Sequence, residues 1–217
     1  PDTHKQILTV QYRMRKNIGN LISQVFYDGK IATEVDDKNR IHPIKKFAGK
    51  SIIWIDTSMM DRKDESRLKG GSYCNYAENA LIKKLLGEFK KEGVLPSLDI
   101  GIITGYRGQK DLVRKSVNNS GYDRIAKGID INTLDAFQGR ENDIIIYSTV
   151  RTKISIGFQK EKERVNVAFS RAKNLLIICG DMDFFYKFDD PDNKFIEIID
   201  YICEHEEECL VIPGGEL

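Results

Sequence analysis

The sequence predicts a single α/β domain: a doubly wound, mainly parallel sheet with helices on both faces. Three observations predict it. Five short apolar runs, at 52–56, 100–104, 129–134, 144–149 and 175–179, read as strands, and several are nearly continuous in Ile, Val and Leu, as strands buried on both faces must be. Helical patterns lie between them, at 16–26, 75–92, 108–117, 164–172 and 193–206, and strands alternating with helices imply parallel pairing. The length of 217 residues suits one such domain with a real core.

The helix at 75–92 is the clearest. Ala77, Leu81, Ile82, Leu85, Leu86 and Phe89 form one stripe. Asn75 is a good N-cap, Glu78 three residues later completes a capping-box pattern, and Gly93 follows at the C′ position. The polar stretch 57–72 is expected as an exposed loop before this helix. The last stretch, 189–217, is expected as an acidic helix and tail closing a domain that spans 1–217.

Hydrophobic residues make up 41% of the chain, and no apolar run approaches the roughly 20 residues that span a bilayer, so no membrane partner is expected. The four cysteines form no CxxC pair and Cys179 sits inside an apolar run, which suits a reducing compartment: cytoplasm, nucleus or nucleoid. Pro1 stands where an initiator Met would be, so the sequence is expected to be a piece of a longer protein. Net charge is +1, but residues 1–180 carry +11 and residues 181–217 carry −10. A basic body points to a polyanionic partner.

In open parallel sheets, function collects at the carboxyl ends of strands. Four segments stand at such places or at helix starts: 8–14 (LTVQYRM), 101–109 (GIITGYRGQ), 131–143 (INTLDAFQGREND) and 164–172 (RVNVAFSRA). Each combines an arginine with a hydroxyl or amide, and two of them, 101–109 and 131–143, also contain Gly. Gly admits a ligand close to backbone N–H groups, and a guanidinium fork matches phosphate oxygens.

Three of these segments carry a specific resemblance. Gln11-Tyr12-Arg13-Met14, Thr133-x-Asp135-Ala136-Phe137-Gln138-Gly139-Arg140-Glu141 and Asn166-Val167-Ala168-Phe169-Ser170-Arg171-Ala172 resemble, in order and spacing, the C-terminal motifs of superfamily 1B helicases, the group with the nonsense-mediated-decay helicase and senataxin. The TGYRGQ segment falls at the expected place between them, and the resemblance covers nearly the whole chain. It implies the second RecA-like motor domain of a DNA or RNA helicase. Arg13 and Arg171 resemble the two catalytic arginines that reach the γ-phosphate across the inter-domain cleft. Tyr12 resembles an aromatic packed near the adenine, Gln11 stands beside it on the nucleotide side, and Gly139 and Glu141 lie where the family approaches ribose and phosphates. Thr104, Tyr106, Gln109 and Thr133 resemble residues of a single-strand track, with Gln138 between track and nucleotide and Arg151 at its margin. The implied partners are ATP with Mg²⁺, single-stranded DNA or RNA, and a preceding RecA-like domain in the same polypeptide, the whole acting as a monomer.

The sequence departs from the family in two places. Arg15-Lys16 follow QYRM where His-Pro is common, which removes a pre-set helix start. Phe169 and Ser170 stand where Leu and Thr are usual.

Two decoys fall away. Gly49-Lys50-Ser51 looks like the end of a Walker A loop, but position 44 is Ile, where that motif requires Gly. The strand 52–56 ends in Asp like a Walker B strand, but Thr57 follows where the family uses Glu. The phosphate cradle, the Mg²⁺ ligands and the water-activating carboxylate are therefore expected in the preceding domain. Cys203, His205 and Cys209 supply only three closely spaced ligand types, with no second pair, so no metal site is expected. The alternative function is a non-enzymatic nucleic-acid-binding or scaffold domain that kept the fold.

Overall fold

The computed structural model describes residues 9–137 and 139–217. A six-stranded parallel sheet forms the centre: β1 (Ile52–Asp56), β2 (Asp99–Thr104), β3 (Gly128–Thr133), β4 (Asn142–Ser148), β5 (Ala172–Gly180) and β6 (Cys209–Pro213), in the order β6-β1-β5-β4-β2-β3. Among the described residues, six α-helices accompany it: α1 (Lys16–Tyr27), α2 (Tyr76–Lys91), α3 (Arg107–Asn119), α4 (Lys162–Phe169), α5 (Met182–Lys187) and α6 (Phe195–Glu204).

The period-2 geometry of each strand sends successive side chains to opposite cores. Ile53, Ile55, Ile144, Ile146, Leu175 and Ile177 pack with α2 and α3. Ile52, Trp54, Ile145, Tyr147, Leu176 and Ile178 pack with α1, α4, α5 and α6. Both faces are therefore covered over the inner strands, which is why β1, β4 and β5 lack polar alternation, whereas the edge strand β3, with Asp130 and Asn132 between its isoleucines, shows it.

Phe169 is fully buried, with its ring centroid 5.3 Å from Tyr147 and 6.3 Å from Phe195. The larger ring in place of the family's Leu thus fills an aromatic core that also includes Trp54 and Phe185. The helix start lacking Pro is secured differently. Arg15 anchors to the carbonyls of Gly49 and Lys50 at 3.0 and 3.1 Å, and the Lys16 amide donates to Asp37 at 2.9 Å.

Four expectations need correction. The tail contains β6, whose five residues pair in register with β1; a short apolar run after an acidic helix end carries no periodicity that marks it as a strand. The helix expected at 164–172 ends at Phe169, because Ala172 pairs with Asn142 and opens β5. The stretch 57–72 is not wholly exposed: Ser66–Arg67 pairs with Tyr73–Cys74, and Glu65 is buried. The capping box is half made. The Asn75 side chain accepts from the Glu78 amide at 3.0 Å, but the Asn75 amide donates to Gln109, and the Glu78 carboxylate turns inward.

Candidate functional site

The motif residues gather at opposite ends of the sheet, separated by the strand length, about 15–20 Å. The first cluster lies at the amino ends of β4 and β5. Glu141 immediately precedes β4 and Arg171 immediately precedes β5. The Asn142 amide donates to the Arg171 carbonyl at 3.2 Å, and the Arg15 amide donates to the Lys173 carbonyl at 2.8 Å. These backbone bonds bring Glu141 and Arg171 together, and join to them the Arg13 turn from more than 100 residues away. The motifs were expected at carboxyl ends of strands or at helix starts: the Arg13 turn does lead into α1, whereas Glu141 and Arg171 stand at amino ends of strands.

Arg13 Nε donates to Glu141 Oε2 at 2.5 Å, and its Nη1 donates to the Ser170 carbonyl at 3.2 Å. Lys173 Nζ lies 3.3 Å from Glu141 Oε1, and Arg171 Nε donates to the Val167 carbonyl at 3.1 Å. Partial burial pushes the Glu141 carboxyl up, but Arg13 and Lys173 together outweigh it and hold it below the ordinary value. Burial, and then the neighbouring charge of Arg13, lowers the pKa of Arg171, with Glu141 opposing. Three cations thus face one carboxylate, a balance that a polyanion would complete. Lys173, next in the chain after the last motif, was not foreseen.

The other residues expected on this side differ in role. Tyr12 is 63% exposed, and its hydroxyl donates to Glu34 at 3.2 Å, leaving the ring open. Gly139 has φ of +86°, with open space where a Cβ would stand. Gln11 is consumed within the turn: its Oε1 accepts from the Arg13 and Met14 amides at 2.9 Å, and its Nε2 donates to Thr33 at 2.7 Å. It shapes the turn with both atoms of its amide. Gln138 lies outside the described residues.

The second cluster surrounds a cavity of about 390 Å³ at the carboxyl ends of β2 and β3, lined by Ser72, Tyr73, Tyr106, Arg107, Thr133 and Phe158 among others. Tyr106 is largely buried, 5.6 Å from Tyr73 and 5.3 Å from Phe158 by ring centroids. Gly157 is required here: its φ is +62°, and a Cβ would come within 2.0 Å of the Tyr106 hydroxyl. Three expected track residues are turned inward and form the wall behind this surface. Gln109 is fully buried, accepting from the Asn75 amide at 2.8 Å and donating to Ser148 at 2.9 Å. Arg151 is buried in an ion pair with Glu65 at 3.0 Å and lies over the Tyr73 ring at 4.3 Å. Thr104 is buried beneath Tyr106. Thr133 does reach the cavity. Arg107, whose side chain is 83% exposed, and Phe158 were not foreseen. Arg107 was readable as the cation inside TGYRGQ; a lone Phe carries no such signal.

Glu78 holds the loop behind this cavity. It is fully buried and accepts from Ser148 at 2.5 Å, Thr149 at 3.1 Å and the Val150 amide at 2.8 Å. Val150 has φ of +70°, a conformation costly for a β-branched residue. Burial pushes the Glu78 carboxyl up to about 8, against the pull of those hydrogen bonds. The folded state therefore binds a proton that the unfolded chain releases near its ordinary pKa. This stabilising contribution is full below about pH 4.5 and is lost as pH rises towards 8. Glu78→Gln should flatten that dependence, so that the stability difference between variant and wild type moves in the variant's favour by up to about 1.4 kcal/mol per pH unit across that window. Denaturant melts from pH 5 to 9 that stay parallel for the two proteins would refute the assignment.

Of Cys203, His205 and Cys209, the first is exposed and the other two have partners within the fold. His205 stacks on Tyr201 at 4.0 Å, and buried Cys209 accepts from Asn17 at 3.4 Å.

A family model described as AAA domain matches residues 2–183. Over 182 residues the chain is 34% identical to "Regulator of nonsense transcripts 1 homolog" of Neurospora crassa, covering 80% of this chain and 16% of that protein. It is 34% identical over 183 residues to "ATP-dependent helicase upf1" of Schizosaccharomyces pombe, covering 80% and 19%. It is 31% identical over 215 residues to "DNA polymerase alpha-associated DNA helicase A" of Saccharomyces cerevisiae, covering 92% and 30%. The chain thus spans between about one sixth and one third of these relatives' length.

Proposed function

This chain belongs to the AAA-domain family and is a C-terminal RecA-like motor domain of the superfamily 1 helicases, and from that premise we propose that it completes an inter-domain ATP site with two arginine fingers while carrying half of a single-strand track. The observation that supports this best is the convergence of Arg13, Glu141, Arg171 and Lys173 at the amino ends of β4 and β5, with cations in excess.

The residues fit a nucleoside triphosphate: two guanidiniums and an ammonium for phosphates, an open Gly139 backbone, and an exposed Tyr12 ring for a base. ATP with Mg²⁺, held mainly by a preceding RecA-like domain, supplies a transferable phosphoryl group. Arg13 and Arg171 stabilise the charge that develops on it when the cleft closes. Glu141 holds Arg13 extended until then; an arriving phosphate competes for the same guanidinium. A pure binding module would have no use for these paired fingers.

The strand lies across the carboxyl ends of β2 and β3. Thr133, Ser72 and Arg107 meet phosphates, while Gln109, Thr104 and Arg151 support Tyr106 from behind. The segment that follows Thr133 returns to Glu141 at the opposite end, so one stretch of chain joins track to nucleotide site.

Binding of this domain to oligonucleotides should be weak, indifferent to sequence and steeply salt-dependent. With Arg107 and other cations of the basic stretch 1–180 neutralising roughly five phosphates of a single strand, affinity should fall about a hundredfold between 50 and 200 mM salt. Fluorescence anisotropy across that range measures it, and an affinity indifferent to salt would rule out phosphate tracking.

A further inference from the structure

We infer that Arg40, which lies outside every matched motif, is a positioning residue that holds the Arg13 turn in its phosphate-reaching form; this rests on the reading of Arg13 proposed above. Arg40 Nε donates to the Arg13 carbonyl at 2.9 Å, and its Nη2 donates to the Tyr12 carbonyl at 3.3 Å. One planar guanidinium therefore bridges two successive carbonyls of the turn that carries both exposed nucleotide-side residues. That turn has no helix or strand ladder of its own. Its polar backbone groups must find partners elsewhere, and they find them on two sides.

From inside, the Gln11 side chain takes the amides of Arg13 and Met14. From outside, the segment 32–40 wraps the turn as a strap. Ala32–Thr33 pairs with Val10–Gln11, Glu34 accepts from the Tyr12 hydroxyl, and Asp37 accepts from the Lys16 amide. Arg40 closes the strap, and its own backbone is fixed by its amide, which donates to the Asp37 carbonyl at 2.9 Å.

The two carbonyl bonds fix the peptide planes on either side of the Arg13 Cα, and with them the direction in which the Arg13 side chain leaves the backbone. An ammonium on a flexible stem cannot span two carbonyls in one fixed plane. A displacement of about 1 Å at a catalytic group costs on the order of a hundredfold in rate.

The test sets Arg40→Ala, Arg40→Lys, Arg13→Ala and the Arg13→Ala/Arg40→Ala pair side by side in the full helicase polypeptide. Arg40→Ala should lower kcat for ATP about a hundredfold while KM stays within about threefold. Arg40→Lys, which keeps the charge, should restore little. The double variant should be no slower than Arg13→Ala, because Arg40 acts through Arg13. On the 217-residue chain, hydrogen exchange should accelerate at the amides of residues 13–16 in both Arg40 variants, with β4 and β5 unchanged. Full rescue by Arg40→Lys, unchanged exchange at 13–16, or near-normal turnover of Arg40→Ala beside a collapsed Arg13→Ala would each overturn the positioning role alone. Near-normal turnover of Arg13→Ala would instead overturn the reading of Arg13 and this inference with it.

Discussion

In the full helicase polypeptide, Arg171→Ala should cut ATP turnover by about 10³–10⁵-fold, the range that an arginine finger supplies, while ATP and strand binding stay largely intact. The geometry sets this expectation. Arg171 is tied to its own helix end by one bond to the Val167 carbonyl, half-withdrawn from water and pressed by the charge of Arg13. A guanidinium held this way gains most when negative charge develops in front of it, and gains less from the ground state, whose adenine and phosphate contacts come mainly from the other domain. Arg171→Lys should rescue poorly, because an ammonium lacks the fork. If Arg171 served only as a surface ion-pair partner, its loss would cost about 0–1 kcal/mol of stability, and turnover would hardly change. Rate measurements on variants whose thermal melts match wild type separate the two. A well-folded Arg171→Ala enzyme within a few-fold of wild-type turnover would end the finger assignment.

The second large effect is complete loss: the 217-residue chain by itself should hydrolyse no ATP above background, with or without oligonucleotide. Its cations can stabilise a leaving phosphoryl group, yet the sequence offers neither a phosphate-cradling glycine loop nor a Walker B carboxylate pair to place Mg²⁺ and activate water. Arg13 and Arg171 then have nothing positioned to act upon. Phosphate release from the purified chain, followed for hours at high protein concentration, checks this. Turnover that co-purifies with the chain and disappears in Arg13→Ala would show that a complete catalytic half had been overlooked.

Much of this was legible in the sequence, for physical reasons. Strand runs such as 144–149 and the stripe of α2 are local signals: a buried strand must be apolar throughout, and a helix on a sheet must be apolar every three to four residues. Asn75 as N-cap is local too, since the capped amide lies three residues away. The arginine-bearing motifs were legible through their order and spacing, which resemble those of the helicase family, and the phosphate role read from them is the proposal made above.

What depends on distant partners was not. Nothing local in the last residues marks β6, which exists because β1 offers a free edge. Gln109 and Arg151 have the chemistry of nucleic-acid contacts, but burial commits them to Asn75, Ser148 and Glu65. Arg40 and Lys173 gain a role only where the chain folds back on the Arg13 turn and Glu141. The sequence by itself determined the layers of the fold and the chemistry of the motifs, because periodicity and residue type act over a few neighbours. The tertiary structure alone decided which end of the sheet each motif occupies and which polar side chains face solvent, because strand pairing and burial join residues from about thirty to more than 150 positions apart.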